Sequence, residues 1–451
     1  MRFVMPVLCG AMALAPSIAS AQTAQQPSTP TPATTAASGD SAAPAASGEN
    51  AAPATANQQP EATPGGSAGA ATATTNGGEA ASSESSSEAE PAVHFHGAVE
   101  AAYSYNFNEP SNGVTAWRWY DLHHNTIGLQ NALLTTEWNV GPVKGHVQLQ
   151  LGAFTELFWD AGRGPEQDLL WRLMQEVTAE WTTPYERLSI EGGVFNVPFG
   201  PEYNVAYLNW NWSTSNLFAL MPYQIAGFRA NFDLGHGWTA RGGVYNGWDQ
   251  IVSDNNGAKS VMVSLEWEDP DDENNYFYFN YMVGNERGRD DARGPYARHT
   301  FDVYGQWHPI ERLYLRGHVF SGVEPTRGDT IDGWVGAALF AKFDVTSWFS
   351  VAARGDVVRV FSGESGENMF FADTLEQSGR SRNANTMMGS GTLTLDVHPH
   401  SHVSVRLEAR HDRSDFPLFF GGDVPRLPMD AGDQATESNQ TTVTAGLTTW
   451  F

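Results

Sequence analysis

The residues of this sequence with the most chemical potential are charged, and they recur on one parity of alternating segments. In His402 to Asp412, Arg406, Glu408 and Arg410 alternate with Val405, Leu407 and Ala409. Side chains two apart on a strand share a face, so these charges would stand together, opposite an apolar face. The same parity rule gathers Lys144, Arg172, Glu176, Glu180, Glu191, Arg229, Arg241, Asp302, Arg316, Arg354, Asp356, Asp396, Arg406, Glu408 and Arg410 on one side. On the inner wall of an aqueous passage, such charges discriminate between ions and solutes by their field. Arg172, Arg229 and Arg241 would make one basic arc, and Arg316, Arg354, Arg406 and Arg410 a second, with Asp356 and Glu408 interleaved. For any single residue the plainer reading is a salt bridge within the wall.

Other chemistry is sparse. His398-x-His400-x-His402 has a spacing that could share a metal, but it spans a tight turn with Pro399, which weighs against a metal site. Glu268-Asp269-Pro270-Asp271-Asp272-Glu273 lacks the glycine and closing glutamate of a calcium loop and reads as a solvated acidic turn. His123-His124 lies in a loop and is not read as catalytic. The barrel region has no G-x-S-x-G, P-loop or H-E-x-x-H motif and none that implies a cofactor, so an enzyme is not the expectation.

The charged residues need elements to hold them, and the alternation supplies these as strands. Sixteen are expected, the first eight at about 93–106, 125–139, 143–156, 169–182, 186–196, 223–234, 237–248 and 258–268. The rest follow at 275–286, 298–308, 311–323, 331–344, 347–361, 386–397, 402–413 and 440–451. Their connections alternate in length. Short turns such as Val140-Gly141-Pro142, Gly235-His236, His308-Pro309-Ile310 and His398-Pro399-His400-Ser401 follow even strands. Longer loops (107–124, 157–168, 197–222, 249–257, 287–297, 324–330, 362–385 and 414–439) follow odd ones. That segregation belongs to a transmembrane antiparallel up-and-down β-barrel, with both chain ends on the periplasmic, short-turn side.

Aromatic placement points the same way. Trp138, Trp181, Trp238, Trp267, Trp307, Trp348 and Trp450 fall beside short turns, where indoles favour the lipid headgroup level. Tyr103, Phe195, Tyr245, Phe320 and Phe361 would form the opposite girdle. The chain ends in Phe451 after Val443, Ala445 and Leu447, a pattern similar to the signal read by the outer-membrane barrel assembly machinery.

Composition divides the chain into three. Residues 1–21 carry Met1-Arg2, an apolar run from Phe3 to Leu14, and Ala19-Ser20-Ala21, as a cleaved secretory signal would. Cleavage would remove Cys9, the one cysteine. Residues 22–92 are almost entirely Ala, Thr, Ser, Gly, Pro and Gln with seven acids and no Lys or Arg, a disordered acidic linker with too little apolar surface to fold. Residues 93–451 hold all 15 tryptophans and keep 44 of the 51 acids against 24 of the 25 bases. So negative a region disfavours nucleic acid as a partner. After the signal no apolar stretch reaches the 18 or so residues of a helical span, so a membrane form can only be a closed barrel.

Several blocks resemble the OmpL-like putative β-barrel porin family, in order through much of the barrel. They run from Gly97 to Pro110 (GAVEAAYSYNFNEP), from Gly193 to Glu202 (GVFNVPFGPE), from Tyr245 to Asp249 (YNGWD) and from Asn255 to Ser260 (NNGAKS). Pro201, between Gly200 and Glu202, departs from the family pattern. The resemblance implies an outer-membrane porin and carries no established substrate.

A water-filled channel for passive diffusion of small hydrophilic solutes or ions is therefore the leading expectation, with an adhesive or structural surface barrel as the alternative. Outer-membrane lipid and lipopolysaccharide would meet the apolar face, and self-association stays open. The loop 197–222 is expected to fold inward and narrow the pore. Glu202, Tyr203, Asn204, Tyr207, Asn209 and Trp210 suit a packed, hydrogen-bonding constriction better than a bare surface.

Overall fold

Strand alternation becomes a wall with two chemically different sides. In the segment Val403–Ser414, Val405 and Leu407 are about half exposed, while Ser404, Arg406, Glu408, Arg410 and Asp412 are buried. The exposed parity faces lipid, the buried parity the barrel interior. The computed structural model describes residues 91–158, 173–289, 291, 293–328, 330–361, 386–423 and 435–451. Among them sixteen strands form a closed antiparallel barrel in which each pairs with its neighbours in sequence. They are β1 (Ala92–Asn106), β2 (Thr126–Val140), β3 (Val143–Leu151), β4 (Met174–Thr182), β5 (Leu188–Asn196) and β6 (Gln224–Gly235). Next come β7 (Trp238–Tyr245), β8 (Ser260–Glu268), β9 (Tyr276–Gly284), β10 (Arg298–Ile310) and β11 (Leu313–Thr326). The series ends with β12 (Thr330–Thr346), β13 (Phe349–Phe361), β14 (Thr386–His400), β15 (Val403–Ser414) and β16 (Asn439–Trp450).

β16 closes on β1 with Trp450 opposite Ala98. Gly97 and Phe451 exchange both backbone hydrogen bonds, at 3.2 and 3.0 Å. Closure removes every sheet edge from the bilayer, where an unpaired backbone group would cost several kcal/mol. No described helix is long and apolar enough to cross a membrane.

Three sequence expectations change. The third strand stops at Leu151 instead of reaching 156, and a short helix, α1 (Ala153–Phe158), follows. Gly152 makes that break with φ of +127°, where a Cβ would lie 2.4 Å from the Gln130 carbonyl oxygen. The start of the fourth strand, 169–172, lies outside the described residues, as do the signal and linker segments. Trp450 stands at the short-turn rim but faces the interior, stacked on Tyr207 at 5.7 Å between ring centres. It has the inward parity of Thr448, and the outward place falls to Phe451. Trp181, Trp238, Trp307 and Trp348 are exposed at that rim, with Trp267 packed 6.3 Å from Trp238 and Trp138 lying across Gly145.

The opposite girdle is only partial. Tyr103 is exposed and Phe361 lies across Gly333. Phe195, Tyr245 and Phe320 are fully buried and point inward, where Phe195 packs on Tyr245 and Phe320 on Phe199 of the inserted connection.

Candidate pore interior

The connection from β5 to β6 crosses the barrel interior. Where it begins, the Val197 N–H donates to the Tyr223 carbonyl at 3.1 Å, and the connection carries two single-turn 3-10 helices, Ala206–Leu208 and Phe218–Leu220. Pro198 accepts a hydrogen bond from Asn280 of β9 at 2.8 Å, and Phe199 packs on Phe320 of β11 at 5.7 Å. Glu202 is met by Arg354 of β13 at 3.1 Å and holds the Ser215 N–H at 2.9 Å, tying the two arms of the loop together.

Each expected loop residue has a defined place. Tyr203 and Asn209 clasp a turn, with the Tyr203 N–H donating to Asn209 Oδ1 at 2.8 Å and Asn209 Nδ2 donating to the Tyr203 carbonyl at 2.9 Å. The Asn204 carbonyl accepts from Gln150 of β3 at 3.3 Å. The Tyr207 N–H donates to Glu100 of β1 at 2.8 Å. Trp210 lies beneath Arg316 of β11, 3.9 Å from the guanidinium carbon to the ring centre. Glu202 and Asn209 are buried, whereas Tyr203, Asn204, Tyr207 and Trp210 are half-buried.

The loop's second arm is seated on the far wall. Glu408 accepts from the N–H groups of Trp212 and Ser213 at 2.5 and 2.9 Å, and Asp356 accepts from the Asn216 N–H at 3.2 Å. Arg406 donates to the Ala206 carbonyl at 2.6 Å, and Arg410 donates to Ser213 Oγ at 3.1 Å and Asn216 Oδ1 at 3.0 Å. Trp212 fits only because position 446 is glycine. A Cβ there would stand 2.3 Å from the indole.

The strand charges are paired, some across neighbouring strands and some two residues apart on one strand. Arg229 meets its register partner Glu191 at 2.7 Å, and Arg241 meets Glu266 at 2.9 Å. Arg406 meets Asp396 at 2.8 Å, Arg410 meets Asp412 at 2.8 Å, and Arg354 stands 3.6 Å from Asp356. Lys144 lies 3.9 Å from Glu180 and stays partly exposed near the short turns. Glu176 accepts from Asn196 Nδ2 at 2.9 Å, with His146 at 3.9 Å. Arg316 donates to Gln306 at 2.6 Å. Of the two expected arcs, Arg229, Arg241, Arg354, Arg406 and Arg410 thus each stand beside a carboxylate, whereas Arg316 does not. Arg172, which the first arc needed, lies outside the described residues.

Sequence reasoning missed a second inserted segment. In the connection from β1 to β2, residues 114–122 are buried without a break. Arg118 bridges Asp121 at 3.2 Å and Asp412 of β15 at 2.7 Å, and the Tyr120 hydroxyl donates to the Tyr203 carbonyl at 2.5 Å. Trp119 packs on Tyr223 at 5.1 Å, and Tyr120 stacks on Phe154 of α1 at 5.0 Å. Phe416, Leu418, Phe419 and Phe420, after β15, join the same aromatic core. The signal was present as Trp117-Arg118-Trp119-Tyr120, an aromatic density like that of 197–222. Glu100 and Asp412 were also legible, since both have inward parity. Residues 362–385 and 424–434, parts of the acidic loops, lie outside the described residues.

With this geometry established, comparison places the protein. Residues 92–451 match the family described as Putative beta-barrel porin-2, OmpL-like. The chain belongs to this porin family. Its barrel sits in the outer membrane, with the apolar parity of every strand turned to lipid. Outer-membrane expressed OmpT of Vibrio cholerae is similar in structure at 9% identity and a TM-score of 0.50, covering 80% of this chain and 98% of that one. An anion-selective porin from Comamonas acidovorans is similar at 12% identity and a TM-score of 0.50, covering 80% of this chain and 100% of that one. At such identities the likeness shows the barrel fold alone. No curated protein matches the chain.

Proposed function

We propose that this porin forms a narrow water-filled channel for small hydrophilic solutes or ions, with the loop 197–222 as its constriction. The observation that carries the reading is the loop's seating. Arg354, Asp356, Arg406, Glu408 and Arg410, from β13 and β15, hold its backbone or side chains from the wall facing its β5 and β6 roots. A loop so fastened sets the free cross-section. The remaining interior charges, among them Lys144, Glu176, Glu191, Arg229 and Arg241, would line the passage beside it and tune selectivity.

Deleting 203–216 tests this. Single-channel conductance of the refolded barrel in a planar bilayer should rise, and an unchanged conductance would sink the constriction.

A second reading has its own support. Segments 114–122, 197–222 and 416–420 pack into one aromatic core, as a barrel serving as adhesin or surface structure could. That reading predicts no conductance from the folded wild type and open steps only after the deletion. In either case the outer wall would meet membrane lipid and lipopolysaccharide, Phe451 would present the terminal aromatic to the assembly machinery, and 22–92 would act as a spacer. Self-association of the barrels is compatible with both readings.

A further inference from the structure

Arg316 differs from the other interior arginines of this porin. Arg229, Arg241, Arg354, Arg406 and Arg410 each have a carboxylate oxygen at 3.1 Å or nearer. Arg316 has only neutral acceptors among the described residues. Its Nε donates to Gln306 Oε1 at 2.6 Å and its Nη1 to the Pro201 carbonyl at 3.4 Å. The Tyr276 hydroxyl is a further neutral partner of the guanidinium. The nearby acid of β8, Glu268, is taken by the Tyr278 hydroxyl. The nearby acid of β12, Asp344, is taken by Lys342 at 3.3 Å.

One face of this unneutralised guanidinium lies on the Trp210 indole, and the group is half-buried. Beside it Tyr314 is sandwiched, with the His308 ring stacked at 4.5 Å and the Lys342 ammonium 4.9 Å from its centre. Trp210 meets Tyr314 edge-on at 6.2 Å. The cluster therefore joins a fixed positive fork to a rigid aromatic wall on the short-turn side of the loop. We propose that Arg316 and Trp210 form a binding subsite for small organic carboxylates that carry a ring. The carboxylate would dock on the solvent-accessible part of the half-buried guanidinium, and the ring body would rest on the exposed part of the indole. This names a solute class for the channel and so rests on the channel reading.

The test titrates benzoate and its neutral analogue benzamide into the folded full-length barrel in detergent, by calorimetry or saturation-transfer NMR. Benzoate should bind wild type about ten-fold more tightly than benzamide, the gain of one charge-assisted contact. Arg316→Gln, folded as judged by heat-modifiable mobility, should lose that difference, and Arg316→Lys should restore part of it. Equal binding of the two probes to wild type overturns the proposal without any variant, and so does unchanged benzoate affinity in folded Arg316→Gln. Bilayer recordings separate the two claims. A wild type that binds benzoate but never conducts removes the channel and keeps the subsite. A conducting wild type that treats both probes alike keeps the channel and removes the subsite.

Discussion

Replacing Arg354 by methionine removes a single side chain that fastens the inserted loop in several places. Its guanidinium reaches Glu202 Oε1 at 3.1 Å, Ser213 Oγ at 3.2 Å and Thr392 Oγ1 at 3.0 Å, with Asp356 at 3.6 Å. Methionine keeps the hydrocarbon stem and loses every one of these contacts. Glu202 would retain only its bonds to Ser215, and Asp356 those to Asn216 and Ser390. Two buried carboxylates would then lack their nearest cation. Breaking a buried pair costs about 3–5 kcal/mol, against about 0–1 kcal/mol for an exposed one. At 1.4 kcal/mol per factor of ten, the seated loop should lose roughly two to three and a half powers of ten over unseated forms.

The barrel itself should survive, because its strand ladders do not involve the side chain. Single-channel recording of Arg354→Met should therefore show larger, noisier open steps from a barrel with normal heat-modifiable mobility. Arg229→Met breaks a closer pair, Arg229 with Glu191 at 2.7 Å, on a wall away from the seated arm of the loop. It should leave the noise at the wild-type level. If Arg354→Met conducts with wild-type amplitude and noise, the bonds seen across the interior do not hold the constriction.

Three further outcomes are expected. Gly446→Leu puts a side chain where the Trp212 indole lies 2.3 Å from the built Cβ, so the loop's second arm must shift. Conductance should change, and loss of Trp212 protection from acrylamide quenching would report the shift independently. Arg118→Gln removes the cation between Asp121 and Asp412 and should make residues 114–122 accessible to protease in the folded barrel; resistance equal to wild type would refute the bridge. In the short turn 269–275, the hydrogen bond from His308 Nδ1, 2.9 Å away, holds the Asp272 carboxyl below the usual carboxylate range. A lowered folded value contributes stability above the unfolded value near 3.9 and loses it as pH falls through the lowered value. Carboxyl NMR should place the Asp272 midpoint below about 3.9, and His308→Ala should raise it.

The strand count and the facing of most strand residues were legible without coordinates because a strand's period is local. Whether Arg406 or Val405 turns inward is decided by its neighbours, and one buried face fixes the register of the whole segment. The alternation of short and long connections was equally local. Trp450, Phe195, Tyr245 and Phe320 were misread because an aromatic near a rim looks the same in sequence whether it faces lipid or interior. Parity, followed strictly to the strand ends, separates the two.

The site was legible only in its residue types. Loop backbone has no period, so nothing in 107–124 or 197–222 stated which wall would receive it. The contacts that seat the loop join residues 152 positions apart for Glu202 and Arg354, and 195 apart for Ser213 and Glu408. Such pairs exist only after closure has brought β13 and β15 opposite the loop's roots. Closure also decides which charges cancel. The sequence set the inward list of arginines and carboxylates, but the distances that neutralise five arginines and leave Arg316 with neutral acceptors arise from strand register and loop position. Those depend on the packing of the whole ring.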